Sequence, residues 1–220
     1  MFHIDWQQAL ISLPVFMLAL TIHEFSHGYA AYRLGDKTAF YAGRLTFNPI
    51  KHLDPIGVLV FILSGFRFGW ARPVPVDLRN VDDPKKGMLI SAAAGPLSNL
   101  IQAAVFGLVF RLGGFNGYQV MSDATDLTTI GAKFLFYAIF INCILAFFNL
   151  IPVPPLDGSK ILYGVLPRGQ EHIAMQLERI GPMLLLVLIG SGFIFGYSII
   201  WALIGPFVKL FVGLFSGLHL

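Results

Sequence analysis

Residues 10–32 read LISLPVFMLALTIHEFSHGYAAY, an apolar run that carries a cluster of ionisable side chains in its second half. A run of this length can cross the roughly 30 Å of hydrocarbon in a bilayer, and we predict a first membrane span over residues 8–32. Ionisable groups are costly at such a depth, so the segment HEFSH at residues 23–27 indicates a functional site.

The spacing within HEFSH predicts the chemistry of that site. His23 and His27 are four residues apart, so they share one face of a helix, one turn from each other. This is the H-E-x-x-H arrangement, in which two imidazoles bind zinc and the intervening glutamate acts as a general base. We therefore predict His23 and His27 as ligands of one Zn²⁺ ion and Glu24 as the catalytic base.

Composition indicates an integral membrane protein. Hydrophobic residues make up 56% of the chain and charged residues 12%, whereas soluble domains carry roughly 25% charged residues. The basic residues behind the net charge of +3 are scattered between apolar runs, which argues against a nucleic acid partner and for contact with membrane lipid. A single cysteine, Cys143, excludes an internal disulfide and a multi-cysteine zinc site. The first ten residues contain no Lys or Arg and do not resemble a cleaved signal peptide.

The rest of the chain predicts an all-α integral membrane protein, a polytopic helix bundle of about 4–6 membrane segments in a single domain, 1–220. Further apolar runs predict spans near 88–112, 132–151 and 182–202. For 204–218 we favour a helix lying at the membrane, with a second crossing as the alternative. The sequence is compatible with both a monomer and a homo-oligomer.

The connection after the first span contains a predicted insertion, the membrane-associated stretch 56–78. Residues 56–63 are apolar but too short to span, which favours a re-entrant segment. The following GWARPVPVDL alternates valine and proline, as in an edge strand or β-hairpin. Such a strand can pair with an extended peptide, so Pro73, Val74 and Pro75 are candidate substrate-binding residues. A loop packed on the helices fits the pattern equally well.

The distribution of positive charge predicts the orientation. Nine of the fifteen Lys and Arg residues lie in 33–87, and three lie in 160–179. The positive-inside rule therefore places both segments in the cytoplasm and the N-terminus outside the cell membrane. The two histidines then lie about 9–15 Å inside the cytoplasmic end of the first span, at helical rise.

A catalytic zinc site needs a third protein ligand besides the two histidines, with a fourth position open for water. The candidates are Asp157, Asp54, His52, Asp77 and Cys143. We favour Asp157, because the prolines that precede it interrupt regular helix and present a carboxylate from irregular backbone that must line a cavity. The alternative is that Asp157 caps the next helix.

Two asparagines in the apolar spans are candidate substrate-binding residues. Asn149 can hydrogen-bond an extended substrate backbone or satisfy carbonyls freed near the prolines. Asn99 follows Gly95-Pro96 in the second span and either serves the site or bonds a neighbouring helix.

Together these motifs resemble the site-2 protease family of intramembrane zinc metalloproteases. HEFSH in one span, GPLSN in the next and NLIPVPPLDG at the end of a third carry the resemblance, and FNPIKHLDPIG and GWARPVPV match compact bacterial and archaeal members. The resemblance covers residues 10–165. It implies His23, His27 and Asp157 as zinc ligands, Glu24 as catalytic base and Asn149 as a substrate-holding residue. We find no stretch that suits the PDZ or CBS domain of many relatives.

The resemblance implies a metalloendopeptidase that cleaves single-span transmembrane proteins in regulated intramembrane proteolysis. The alternative is a non-proteolytic zinc-binding membrane protein, either a transporter or an inactive scaffold. Glu24 argues against a transporter, which has no need of a non-ligating carboxylate between its ligands, as does the lack of duplicated halves. An endopeptidase acting on soluble or lipidated peptides shares H-E-x-x-H but usually lacks a third ligand from an LDG segment.

Overall fold

The described secondary structure of this computed structural model is helical, and the description covers residues 6–63, 69–167 and 169–218. Its helices are α1 (Trp6–Arg33), α2 (Thr38–Tyr41), α3 (Pro55–Leu63), α4 (Pro84–Leu112), α5 (Gly117–Met121), α6 (Leu127–Asn149), α7 (Asp157–Val165), α8 (Glu171–Ile194) and α9 (Ile199–Ser216). Single 3-10 turns occur at Pro49–Lys51 and Leu78–Asn80.

Five described helices are long and apolar enough to cross a membrane: Leu10–Arg33, Pro84–Leu112, Leu127–Asn149, Glu171–Gly192 and Ile199–Ser216. This confirms the prediction of an all-α, multi-pass membrane protein. The first three spans lie close to the predicted 8–32, 88–112 and 132–151, and helix caps account for the differences. Asp83 caps α4 through Lys86 N–H, and Asp126 caps α6 through Thr129 N–H, so both helices begin four to five residues early.

The predicted β-hairpin is wrong for the described residues. Residues 70–77 form neither helix nor strand; one isolated antiparallel bridge joins Leu53 to Ala71. Proline explains this outcome, because Pro73 and Pro75 have no N–H group to donate to a ladder. Residues 56–63 belong to α3, whereas residues 64–68 of the predicted membrane-associated stretch lie outside the described part of the chain. The re-entrant path stays a prediction.

The end of the chain also differs from the favoured prediction of a span at 182–202 followed by a membrane-lying helix at 204–218. The break falls at 195–198, where Gly196 has a φ of +66° and Ser191 Oγ accepts a hydrogen bond from Ile199 N–H. Gly205 and Pro206 lie inside α9 and do not break the helix. α9 is therefore of spanning length, as the alternative of a second crossing requires.

Helices α1, α4 and α6 pack together around the two histidines, and α9 closes the far side of α4 and α6. The main hydrophobic cluster joins α4, α6 and α9 through residues such as Phe110, Ile139, Cys143 and Val208. The polar site lies beside this cluster, where α1 faces α4 and the segment that follows α6.

Candidate metal centre

Three buried side chains bring one donor atom each to a common point. His23 Nε2 lies 3.0 Å from His27 Nε2 and 3.2 Å from Asp157 Oδ2. His27 Nε2 lies 3.1 Å from the same carboxylate oxygen. The triangle joins residues 134 positions apart in the sequence, so α1 and the segment after α6 deliver their donors to one place.

Local sequence explains how Asp157 reaches the histidines. α6 ends at Asn149, and the proline-containing segment 150–156 carries the chain to α7, whose first residue is Asp157. Asp157 is not the N-cap of α7, which is Leu156, although a carboxylate is favoured in the first turn of a helix. The next residue must be glycine, because a Cβ at Gly158 would lie 2.3 Å from Leu150 O.

Hydrogen bonds to the other ring nitrogens orient both imidazoles. His27 Nδ1 lies 2.7 Å from the carbonyl oxygen of Ser91, and His23 Nδ1 lies 2.6 Å from Asn99 Oδ1. Both partners are acceptors, so each Nδ1 carries a proton, and Nε2, which faces Asp157, is the ring nitrogen left to bind a metal ion. This is the outer-shell arrangement that fixes the tautomer of metal-binding histidines.

The backbone of α4 forms the wall behind the histidines. A Cβ on Gly95 would lie 2.4 Å from His27 Nε2 and 2.7 Å from His23 Cε1. Glycine at this position therefore allows the helix to approach the imidazoles closely. The structure thus brings α4 into close contact with the predicted site.

Charge at the site centres on Asp157. Burial disfavours its ionised form, but hydrogen bonds from His23 and His27 outweigh burial and hold the pKa of Asp157 below its ordinary value. The half-exposed Lys160 lies one turn along α7, with Nζ 3.6 Å from Oδ1, the oxygen that does not face the histidines. The carboxylate is thus an anion at neutral pH, as a metal ligand must be.

Glu24 faces the same cavity as the three donors. The cavity has a volume of about 460 Å³, and its lining includes His23, Glu24, His27 and Asp157. Glu24 is half-buried, and its Oε2 accepts a hydrogen bond of 2.8 Å from Val74 N–H. The carboxylate is therefore next to the donor triangle without being part of it.

The other candidates for the third ligand lie elsewhere. Asp54 caps the start of α3, and His52 donates from Nε2 to a backbone carbonyl in its own loop. Asp77 pairs with Arg79, which lowers the pKa of Asp77 to about 2. Cys143 is buried in the hydrophobic core. Among the described residues, only His23, His27 and Asp157 form a group with metal-binding spacing.

Comparison with known proteins agrees with this geometry. A model of Peptidase family M50 matches residues 113–189. Over 207 residues the chain is 37% identical to "Putative zinc metalloprotease YwhC" of Bacillus subtilis (strain 168), which covers 92% of this chain and 91% of that protein. The chain belongs to peptidase family M50.

Two further relatives are more distant. The chain is 30% identical over 175 residues to "Putative zinc metalloprotease Rip2" of Mycolicibacterium smegmatis and 30% identical over 127 residues to "Zinc metalloprotease MJ0392" of Methanocaldococcus jannaschii. These matches cover 77% and 57% of this chain, and they span 60% and 34% of the two relatives. No solved structure matches the chain.

Membership of M50 makes the protein a zinc metalloprotease. The donor set fits the metal. Two imidazole nitrogens and one carboxylate oxygen are common ligands of catalytic zinc, which keeps a fourth position for water. Bonds of about 2.0–2.2 Å place tetrahedral donors about 3.3–3.5 Å apart, close to the separations of 3.0–3.2 Å found here.

Some, but not all, of the predicted substrate-binding residues line the cavity beside the three donor atoms. Asn149, Pro73 and Val74 line it, whereas Pro75 is absent from its lining. The Asn149 amide donates to Leu145 O one turn earlier in α6. Its Oδ1 has no hydrogen-bond partner within the described ranges and remains free to accept one.

Asn99, a candidate substrate-binding residue, lies behind His23 and is absent from the cavity lining, where it both serves the site and bonds neighbouring helices. It is fully buried; its Oδ1 accepts from His23, and its Nδ2 donates to Asn142 Oδ1 at 2.8 Å. Asn142 in turn donates to Ala138 O. Asn99 therefore contacts the back of His23 and has no exposed polar atom for a substrate.

Sequence reasoning missed two residues that support this M50 site, Asn142 and Ser91. Asn142 is an amide in the middle of an apolar span, a signal that was present in the sequence. Ser91 acts through its backbone carbonyl, and its hydroxyl donates to His27 O at 3.2 Å. A contact made by the backbone leaves no mark on residue type, so sequence alone could not have found it.

Proposed function

We propose that this protein is an intramembrane zinc metalloprotease that hydrolyses peptide bonds of single-span transmembrane proteins. His23, His27 and Asp157 hold the zinc ion, and Glu24 is the general base. The observation that carries the proposal is the convergence of three buried donor atoms within 3.0–3.2 Å of one another, beside a carboxylate that faces the same cavity.

The position of the site along α1 supports membrane proteins as substrates. His27 and His23 lie six and ten residues before Arg33, the end of the helix, which corresponds to about 9–15 Å at helical rise. α1 is apolar enough to cross a bilayer. A peptide bond that reaches these side chains therefore comes most readily from a segment that is itself in the membrane.

The chemistry follows from the residues around the cavity. Zinc, when bound, polarises the scissile carbonyl and lowers the pKa of a coordinated water toward neutrality. Glu24 accepts the proton of the attacking water and passes it to the leaving amine. The Nδ1 hydrogen bonds to Asn99 and Ser91 orient the imidazoles of His23 and His27 and leave each Nε2 for the metal.

Substrate must be held in extended form, because a helical backbone hides its carbonyls in hydrogen bonds. Asn149 Oδ1 accepts from a substrate N–H, and Pro73 and Val74 supply an apolar wall, with Pro75 next to it. Strand pairing over 73–75 is limited, because Val74 N–H is bonded to Glu24 and neither proline has an N–H. The amide of Asn149 is thus the better candidate for backbone recognition.

The orientation follows from charge. Residues 70–77 and α7 both border the cavity. They belong to the two cation-rich connections that the positive-inside rule assigns to the cytoplasm. The N-terminus then lies outside the cell membrane, and the active site opens toward the cytoplasm. The whole chain, 1–220, acts as a single membrane-embedded domain in contact with lipid.

Removal of zinc tests the function. Chelator treatment of the purified protein is expected to abolish cleavage of a panel of single-span membrane proteins reconstituted in the same vesicles. Return of one zinc ion per chain, measured by elemental analysis, is expected to restore it, whereas Mg²⁺ is not, because imidazole-containing sites favour zinc. Cleavage that survives complete removal of the metal would contradict the proposal.

Asn99 provides a second prediction. Asn99→Ala leaves His23 Nδ1 without its acceptor and Asn142 Oδ1 without its donor, so zinc affinity is expected to fall about 10–100-fold. Competition with a chromogenic chelator measures this change. Gln176→Ala, which truncates an exposed amide on α8, is the matched control. Unchanged zinc affinity in Asn99→Ala would show that this hydrogen bond does not tune the metal.

A further inference from the structure

A segment without helix or strand, residues 70–77, lies beside the candidate active site, and hydrogen bonds attach it to the rest of the protein at several points. We refer to it as the strap. Arg72 N–H donates to His52 O at 2.8 Å, and Asp77 N–H donates to Asp36 Oδ2 at 2.7 Å. The first bond belongs to the isolated bridge between Leu53 and Ala71, and the second is made by a side chain, so the strap is attached to the segment between α1 and α3 without a continuous strand pairing.

Arg44 makes the most unusual of these attachments. Its guanidinium is buried, and Nη2 donates to Arg72 O at 2.6 Å and to Pro73 O at 3.3 Å. Burial lowers the pKa of Arg44, the nearby Arg72 lowers it further, and Glu24 opposes both. A buried cation that bonds backbone carbonyls instead of a carboxylate is costly. The cost indicates that the position of residues 72 and 73 matters.

The next residue of the strap contacts the catalytic base. Pro73 and Pro75 have no N–H, so Val74 carries the only backbone donor among these three residues. That donor is 2.8 Å from Glu24 Oε2. The Val74 side chain is buried and packs beside Gly28 on α1, where a Cβ would lie 3.0 Å from Val74 Cγ1. The contact is thus directed by both backbone and side chain.

We propose that Arg44 is a positioning residue for the proteolytic reaction, acting through the strap on Glu24. By holding the carbonyls of Arg72 and Pro73, Arg44 places Val74 N–H against Oε2 of Glu24. The other oxygen, Oε1, has no hydrogen-bond partner among the described residues and is left to take the proton of water. This inference rests on the proposed role of Glu24 as general base.

Anchoring one oxygen restricts the rotamers of a flexible carboxylate at the point of proton transfer. Misplacement of a reacting group by about 1 Å can cost about 100-fold in rate. Loss of the strap's bond to Glu24 is therefore expected to lower kcat about 10–100-fold. Because that bond involves neither zinc ligands nor Asn149, the effect on zinc stoichiometry is expected to be negligible, and KM is expected to stay within about 3-fold.

Val74→Pro and Val74→Ala form the matched pair that tests the contact. Val74→Pro deletes the N–H, whereas Val74→Ala trims the side chain and keeps the N–H. With the fastest-cleaved member of the single-span panel as substrate, kcat is expected to be about 10-fold lower in Val74→Pro than in Val74→Ala, because both changes remove the valine side chain but only proline removes the N–H. Full kcat in zinc-loaded Val74→Pro would overturn the proposal, as would a rise in kcat, which would mean that the strap hinders the base.

Variants of Arg44 test its positioning role without introducing a proline into the strap. Arg44→Ala is expected to lower kcat about as much as Val74→Pro, and Arg44→Lys, which keeps a donor and the charge, to recover part of it. In the double variant of Arg44→Ala and Val74→Pro, kcat is expected to be no lower than in Val74→Pro alone, because both changes remove one pathway. Additive losses, or wild-type kcat in Arg44→Ala, would overturn the assignment. If Val74→Pro does not fold, Arg44→Ala against Arg44→Lys decides alone.

Glu24→Gln in the same assay separates this inference from the proposed function. If Glu24→Gln cleaves at the wild-type rate, Glu24 is not the general base, and the proposed role of Arg44 and the strap fails with it. An inactive Glu24→Gln together with normal kcat in Val74→Pro and Arg44→Ala would leave the proposed function standing and overturn only the role of Arg44.

Discussion

Glu24→Gln is expected to abolish proteolysis, with a loss of about 10²–10⁴-fold in kcat, while zinc remains bound at one ion per chain. Glutamine has the size of glutamate and can still accept a hydrogen bond from Val74 N–H, but it cannot take a proton from water. Glu24 is separate from the three donor atoms, so the metal site is expected to remain intact. Single-turnover cleavage of a reconstituted single-span protein, with elemental analysis of zinc, measures both quantities.

Glu178→Gln is the matched control for this experiment. It makes the same chemical change at an exposed position on α8 and is expected to leave cleavage unchanged. Undiminished proteolysis by Glu24→Gln would refute the assignment of the base. Loss of zinc from that variant would instead show that Glu24 contributes to the metal site itself.

Asp157→Ala is expected to lose both zinc and activity. The change removes one of three donors and leaves two imidazoles that cannot complete a catalytic site alone. Loss of an outer-shell partner typically weakens metal binding about 10–100-fold, so loss of a ligand is expected to cost at least about 100-fold. Zinc stoichiometry after dialysis against a weak chelator measures the loss, and cleavage is expected to fall to background.

Asp82→Ala is the comparison for Asp157→Ala. Asp82 is exposed in the connection before α4 and is not its N-cap, which is Asp83. Its substitution is expected to leave zinc and cleavage unchanged. Wild-type zinc content in Asp157→Ala would show that the third ligand is a different group, and would contradict the proposed site.

Much of the site could be predicted from the sequence, because its key features are local. Four-residue spacing places His23 and His27 on one helix face in any helical context. The prolines before Asp157 end α6, and the carboxylate must then start a new segment. Asn99 shows the limit. An amide in an apolar span predicts a polar contact, yet only the packing of α1 against α4 shows that its partner is His23 and not a substrate.

The break near the end of the chain shows the same limit from the other direction. Several glycines and Pro206 are all plausible breaking points in this part of the chain, and residue type does not rank them. The turn falls at Gly196, where Ser191 Oγ accepts from Ile199 N–H. Gly205-Pro206 stays helical where α9 packs against α6. Tertiary contacts choose among local breaking points of similar cost.

The sequence by itself determined the membrane class, the helical pairing of the two histidines and the carboxylate that follows the prolines, because apolar length and helical period act over a few residues. Only the tertiary structure decided which backbone groups surround them: Ser91 O behind His27, Gly95 against the imidazoles and Val74 N–H on Glu24. Backbone donors and acceptors are the same at nearly every residue, so their partners are set by how distant segments pack.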